Sequence, residues 1–205
     1  KPLSAASRGS KLMNYHKHAV HILANYSDQG NHLLFEAQRM IYAGAFFPEF
    51  KEAPAWRKSG IDILNREINV QVYNDGGQFE LDPHYHLAAI NIFCKALGIA
   101  DVNGFRNEFP QEYLDTIEKM IMFYANISFP DYTNPCFSDA KITEKKEMLK
   151  NYREWSKLFP KNETIKYLAT DGKEGALPDY MSKGFLKSGF FVFRNSWGMD
   201  ATQMV

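Results

Sequence analysis

The segment Asp82-Pro83-His84-Tyr85-His86 sets a phenol between two imidazoles. These side chains can hold or pass a proton, and they can meet an anionic ligand. Asp82 suits a helix N-cap, because its carboxylate can accept from the free N–H groups of a first turn. Pro83 fits the first helical position, where no N–H is needed. The reading is therefore a helix with His84, Tyr85 and His86 in its first turn, the apolar run Leu87–Leu97 behind them, and Gly98 as its stop. The start of a helix is electropositive, which favours an anion and eases ionisation of a phenol.

Other chemistries fare less well. His84 and His86 are two apart and do not share a helix face, so they make a poor metal pair. The zincin H-E-x-x-H, the P-loop, G-x-G-x-x-G and G-x-S-x-G are all absent. Glu36, Glu80 and Asp82 are acids of the kind a glycosidase uses, but spacing does not show two of them facing one glycosidic bond, so hydrolysis stays an open alternative. A second polar group, Asn31-His32, follows Gly30 at another helix start. Its plain reading is that Asn31 caps the helix. His32 and Glu36, one turn apart, could pair at the surface or at the mouth of a site.

The elements that must carry these residues read as helices. Leu12, Tyr15, Ala19, Ile22, Leu23 and Tyr26 recur at helical spacing, then Leu34, Ala37, Ile41 and Ala45, and then Trp56, Gly60, Ile63, Leu64 and Ile68 in a run from Pro54 to about Val72. Asn74-Asp75-Gly76-Gly77 is a turn. Pro110 opens a fifth helix, and two polar ones cover Thr143–Phe159 and Asn162–Thr170. Helices at this cadence suggest stacked helical hairpins, as in bundles, solenoids or toroids. After Asp171 glycines multiply, and Phe190–Arg194 and Thr202–Val205 read as short strands. We therefore divide the chain into a helical part, residues 1–171, and a linker with the start of a β domain, residues 172–205. A chain that opens Lys1-Pro2 and stops within a strand is expected to be part of a longer protein.

Composition narrows the partners. Lys plus Arg and Asp plus Glu both number 24, so no overall field attracts nucleic acid or an anionic membrane. No apolar run approaches the roughly 18 residues of a membrane span. Cys94 and Cys136 form no C-x-x-C pair. Sixteen Phe, eleven Tyr and three Trp supply an aromatic core in the plain reading and carbohydrate contacts in the functional one.

Taken together, Asn31-His32-Leu33-Leu34-Phe35-Glu36, Phe47-Pro48-Glu49-Phe50 and Gly76–His86 resemble the heparinase II/III group of polysaccharide lyases, and within it the bacterial heparinase III type. The resemblance runs from about residue 10 to the end. It implies a mainly α fold, an incomplete α/α toroid followed by the first strands of a truncated antiparallel β-sandwich. It also implies β-elimination at a uronic acid of heparan sulfate. Asn31 and Tyr85 would be the catalytic residues, the first holding the uronate carboxylate and the second transferring a proton. His32, Glu36, His84 and His86 would contact substrate. A further histidine belongs to the β-sandwich, so residues 1–205 alone are expected to be nearly inactive.

The resemblance implies no required cofactor, though a structural divalent metal in the β-sandwich stays open. It implies a periplasmic or secreted bacterial protein, and leaves oligomeric state unknown. Few Lys and Arg lie near the proposed site, which suits sparsely sulfated heparan sulfate better than heparin. An alginate or other uronan lyase, or a non-catalytic glycan-binding helical domain, are the alternatives.

Overall fold

The computed structural model describes residues 5–205, with side chains from residue 9 onward. Seven α-helices precede a small sheet: α1 Ala5–Ala24, α2 Gly30–Phe46, α3 Ala53–Val70, α4 Pro83–Asn103, α5 Gln111–Ile127, α6 Lys145–Leu158 and α7 Glu163–Ala169. The strands are β1 Lys183–Phe185, β2 Phe190–Arg194 and β3 Gln203–Met204. Compaction divides the chain into one unit of residues 1–69 and 95–110 and another of residues 70–94 and 111–205.

In the first unit, Ala19, Met40, Ala53 and Trp56 form a buried cluster flanked by Ile22, Tyr26, Ala43 and Phe50. The α3 stripe read from the sequence is the buried one, with Trp56, Gly60, Ile63, Leu64 and Ile68 all inward. Gly60 is required there, since a Cβ at that position would come within 2.3 Å of the Ala37 carbonyl oxygen. A short 3₁₀ turn, Arg106–Glu108, is fastened to α3. Arg57 pairs with Glu108 at 2.8 Å, and Asn65 Nδ2 donates to the Glu108 carbonyl at 3.0 Å.

The second unit is built on α5, whose Tyr113, Ile117, Met120, Ile121 and Tyr124 are buried. Met148, Tyr152 and Trp155 of α6 are buried as well. Asn162 caps α7, its Oδ1 accepting from the Ile165 N–H at 2.9 Å. The strands form an antiparallel sheet in the order β1-β2-β3, with Phe185 opposite Phe190 and Arg194 opposite Gln203. Phe123 of α5 meets Phe185 and Phe190 edge-on, with ring centroids 4.7 and 5.3 Å away.

Three sequence expectations need correction. Gly98 does not stop α4, which continues to Asn103. Ala96, Leu97 and Ala100 carry its buried face onward, and the left-handed residue that ends a helix is Gly104, at φ +75°. That continuation makes α4, by length and composition, the one described helix long and apolar enough to cross a membrane. Half of it is buried here, as in a core helix. The third correction is β1, whose two exposed residues gave no alternating pattern to read.

The turn at Asn74–Gly77 is fixed from both sides. Asp75 accepts from the Lys187 N–H at 2.7 Å and from the Ser188 N–H and hydroxyl at 2.9 and 3.2 Å. Gly76 has φ +94°, and a Cβ there would lie 2.4 Å from the Lys119 carbonyl oxygen. A side chain at this position meets both a conformational penalty and a backbone wall. Gly76→Ala is expected to destabilise the protein by about 2 kcal/mol or more, read as a lower midpoint in denaturant unfolding. A midpoint unchanged from wild type would show that the turn can move away from α5.

Candidate functional site

Asp82 caps α4 as expected. Its Oδ1 accepts from the N–H groups of His84 at 2.7 Å and Tyr85 at 3.1 Å, while Pro83 occupies the first helical position. The carboxylate is buried, and its Oδ2 has no hydrogen-bond partner. Leu81, immediately ahead, sits at φ +56°. A leucine in the left-handed region is strained, and the strain is held at the point where the chain turns into the helix.

The three aromatic residues after the cap part company at once. His84 is exposed, Tyr85 is half-buried, and His86 is buried with 2% of its surface accessible. Tyr85 touches the ring of His84 edge-on, with centroids 6.1 Å apart. The Tyr85 hydroxyl makes no hydrogen bond to any described residue, so it is free to act on a ligand at an electropositive helix start.

His86 does not line a ligand site. Its Nδ1 accepts from the Gln78 N–H at 3.1 Å, and Nε2 lies 2.9 Å from the Met120 carbonyl oxygen. An amide N–H can only donate, so Nδ1 must be unprotonated and Nε2 must carry the hydrogen. Both nitrogens are committed to the neutral tautomer. The ring stacks on Tyr124 with centroids 5.9 Å apart and tilts against Phe123 at 5.0 Å. Burial pulls its pKa down from 6.5 to about 4, opposed only by the bond to Met120. The Tyr124 phenol behind it is pushed up to about 12, chiefly by burial, and stays neutral. The expected substrate contact from His86 is thus replaced by a structural clamp between the 71–81 turn, α4 and α5.

The second group of residues lies in the other unit. Asn31 is not the cap of α2. The helix begins at Gly30, φ +75°, and the flanking residue is Gln29, whose side chain makes no capping bond. Asn31 lies within the first turn and is already helical, so its amide cannot reach forward to cap. That amide is half-exposed and bonds to no described residue. His32 is exposed. The pair expected between His32 and Glu36 does not form. Glu36 instead accepts from the Ser27 N–H at 2.7 Å and the Ser27 hydroxyl at 2.9 Å, closing the loop that leads into α2. Sequence reasoning missed both structural partners, Gln78 and Ser27. The turn signal at Asn74–Gly77 pointed to a chain reversal there, which in the structure sets Gln78 against Val72.

Asn134 and Asp139 belong to a loop that the structure shows to be tied internally. Asn134 Oδ1 accepts from the Thr143 N–H at 2.8 Å, and its Nδ2 donates to the carbonyls of Pro135 and Lys141. Among the described residues, no three His, Cys, Asp or Glu side chains cluster to hold a metal ion. Cys94 is buried, and Cys136 is an exposed thiol.

The neutral His86 makes stability depend on pH. Its folded pKa of about 4 lies below its unfolded 6.5, so the unfolded chain binds more protons in between. The clamp's contribution is complete above pH 6.5 and is lost as pH falls toward 4, by roughly 3 kcal/mol in all. The melting temperature should fall across that window, and His86→Gln should be less stable at pH 7 but show a flatter profile. A variant that keeps the wild-type slope would remove His86 as its source.

The family model of the heparinase II/III N-terminus matches residues 9–167 of this chain. A heparin-sulfate lyase of Bacteroides stercoris is 89% identical over 194 residues, which is 95% of this chain and 29% of that protein. The chain therefore spans less than a third of the length of the curated relatives it matches. Among solved structures, a heparinase III gene product superposes with a TM-score of 0.85 at 97% identity, over 95% of this chain and 30% of that one. A second heparinase III superposes with a TM-score of 0.89 at 27% identity, over 94% of this chain and 31% of that one. The mainly α architecture with its short antiparallel sheet is the part of the α/α toroid fold that these structures share.

Proposed function

The chain belongs to the heparinase II/III family, and we propose that it supplies the helical part of a heparan-sulfate lyase, with Asn31 and Tyr85 as its reacting side chains. The observation that carries this reading is the free hydroxyl of Tyr85, set on a rigidly capped helix start while its neighbour His86 is fully engaged in structure. A side chain whose backbone is held on both sides and whose polar end has no protein partner is pre-organised for a ligand.

The proposed reaction is β-elimination. The C5–H and C4–O4 bonds of a uronate break, a C4=C5 double bond forms, and the departing O4 leaves with a proton. The carboxylate on C5 gathers negative charge as its proton is removed. The Asn31 amide donates to that carboxylate without carrying a charge of its own, and it gains strength as the charge grows. Tyr85 delivers a proton to O4, and the phenolate left behind takes up the proton released from C5. His32 and His84, both exposed, are the imidazoles left to meet sulfate or carboxylate groups. Glu36 accepts from Ser27 and so holds the loop that leads into α2. This chemistry uses no cofactor. The same reading places the protein in the periplasm or outside a bacterial cell, where an acidic polysaccharide is met.

Tyr85→Phe in the full-length protein, assayed by the ultraviolet absorbance of the unsaturated product on heparan sulfate, should lower kcat by about a hundredfold or more with little change in KM. Asn31→Ala should cost about 10²–10³ in kcat. A Tyr85→Phe enzyme within tenfold of wild type would overturn the assignment. Turnover on alginate or hyaluronan in preference to heparan sulfate would keep the chemistry and replace the substrate.

A further inference from the structure

Along β2, Phe191 and Phe193 face outward while Val192 and Arg194 are buried, so a guanidinium occupies an inward position of the strand. Only 8% of Arg194 is exposed. Its plane lies over the ring of Trp197, 3.5 Å from the centroid, and Nη2 donates to the Asn126 carbonyl. Its other N–H groups have no acceptor among the described residues, and no Asp or Glu pairs with it. Burial pulls its pKa down to about 10, which still leaves it charged at neutral pH. A buried charge without a counter-ion is costly, and the cost is met when an anion arrives.

Space for an anion adjoins it. Arg194 lines a cavity of about 150 Å³ with Ser128, Tyr132, Tyr167, Trp197 and Met199. A cavity of about that size accepts a six-membered ring such as benzene. Asp171 is also on the wall, but its charge is answered by Lys145 at 2.8 Å, and Lys145 in turn lies over the Tyr132 ring. The chamber thus offers one unanswered cation among aromatic faces, the combination that suits an acidic sugar.

We propose that this cavity is an oxyanion subsite, in which Arg194 binds the sulfate or carboxylate of a saccharide unit and the aromatic walls cover its ring. The proposal rests on the polysaccharide reading above and deepens it, since a sulfate-reading pocket apart from Tyr85 would set which saccharide units are tolerated. A guanidinium presents a planar fork of donors that matches such an oxyanion in two-point contact, which a lysine in its place would not.

The test is calorimetric titration of the full-length protein at constant ionic strength, with sodium sulfate in one arm and with a sulfated or unsulfated unsaturated disaccharide in the other. Wild type should bind inorganic sulfate, and it should prefer the sulfated disaccharide. Arg194→Gln should weaken both by about tenfold. Met199→Trp, at an exposed position on the rim, keeps the guanidinium and its packing; it should weaken the disaccharide by a similar factor while sulfate binds as before. A disaccharide that binds Met199→Trp as tightly as wild type would reduce the site to one for free sulfate and overturn the saccharide assignment. So would absence of sulfate binding, or a full-length structure in which an acidic side chain from outside these 205 residues bonds the guanidinium. Tyr85→Phe separates the two readings: lost turnover alongside sulfate binding unaffected by Arg194→Gln fells this proposal alone, and the opposite pair of results fells the lyase assignment alone.

Discussion

A neutral imidazole with both nitrogens occupied holds the second unit's polar turn, its apolar helix and its central helix at one point. His86 receives from Gln78 and gives to Met120, so each nitrogen fixes a different element. The arrangement works only without charge. A second proton would set N–H against N–H at Gln78, at a ring that is buried. Because His86 follows Tyr85 directly, fixing one ring fixes the backbone from which the other projects. The Asp82 cap secures the same peptide groups from the preceding side. The Tyr85 phenol is therefore anchored by two neighbours whose polar atoms are committed to holding backbone.

The same division of labour recurs around Asn31. Glu36 spends both oxygens on Ser27 and so defines the loop before α2, while Asn31 keeps its amide unbonded. In each group the carboxylate is structural and the neutral polar group is left free. That arrangement accords with the polyanionic substrate proposed above: a free carboxylate would repel it, whereas an amide, a phenol and exposed imidazoles would not. Glycosidase chemistry needs two unencumbered acids, and two of the three named for it, Glu36 and Asp82, are engaged in holding backbone.

What the sequence disclosed and what it withheld divide by range. Asp82 and Pro83 were legible because capping is local, needing only residues two or three positions away. The buried stripe of α3 was legible because its period is. His86 was not, since its burial depends on Met120, 34 residues on, and nothing in the triplet separates an imidazole facing solvent from one facing α5. Asn31 was misread because its residue type suits a cap, while the glycine before it had already moved the helix start one step earlier. Gly98 misled in the same way, as glycine punctuates a helix only where the backbone turns left-handed, and here that happens at Gly104. The inward Arg194 lay within a strand that was recognised, but which face of that strand is buried is a property of the packed sheet.

The grip of Asp75 on Lys187 and Ser188 spans 112 and 113 residues of chain. Closing so long a loop carries an entropy cost that local contacts do not, and its reward comes only after the intervening helices have condensed. The link from Gln78 to His86, eight residues apart, can form early, and the link to Met120 needs only α5 to arrive. The turn beside Tyr85 is thus held by one contact that the local chain can close and by others that only distant segments supply. The position of Tyr85 therefore draws on a contact that reaches across more than a hundred residues of chain as well as on the local cap beside it.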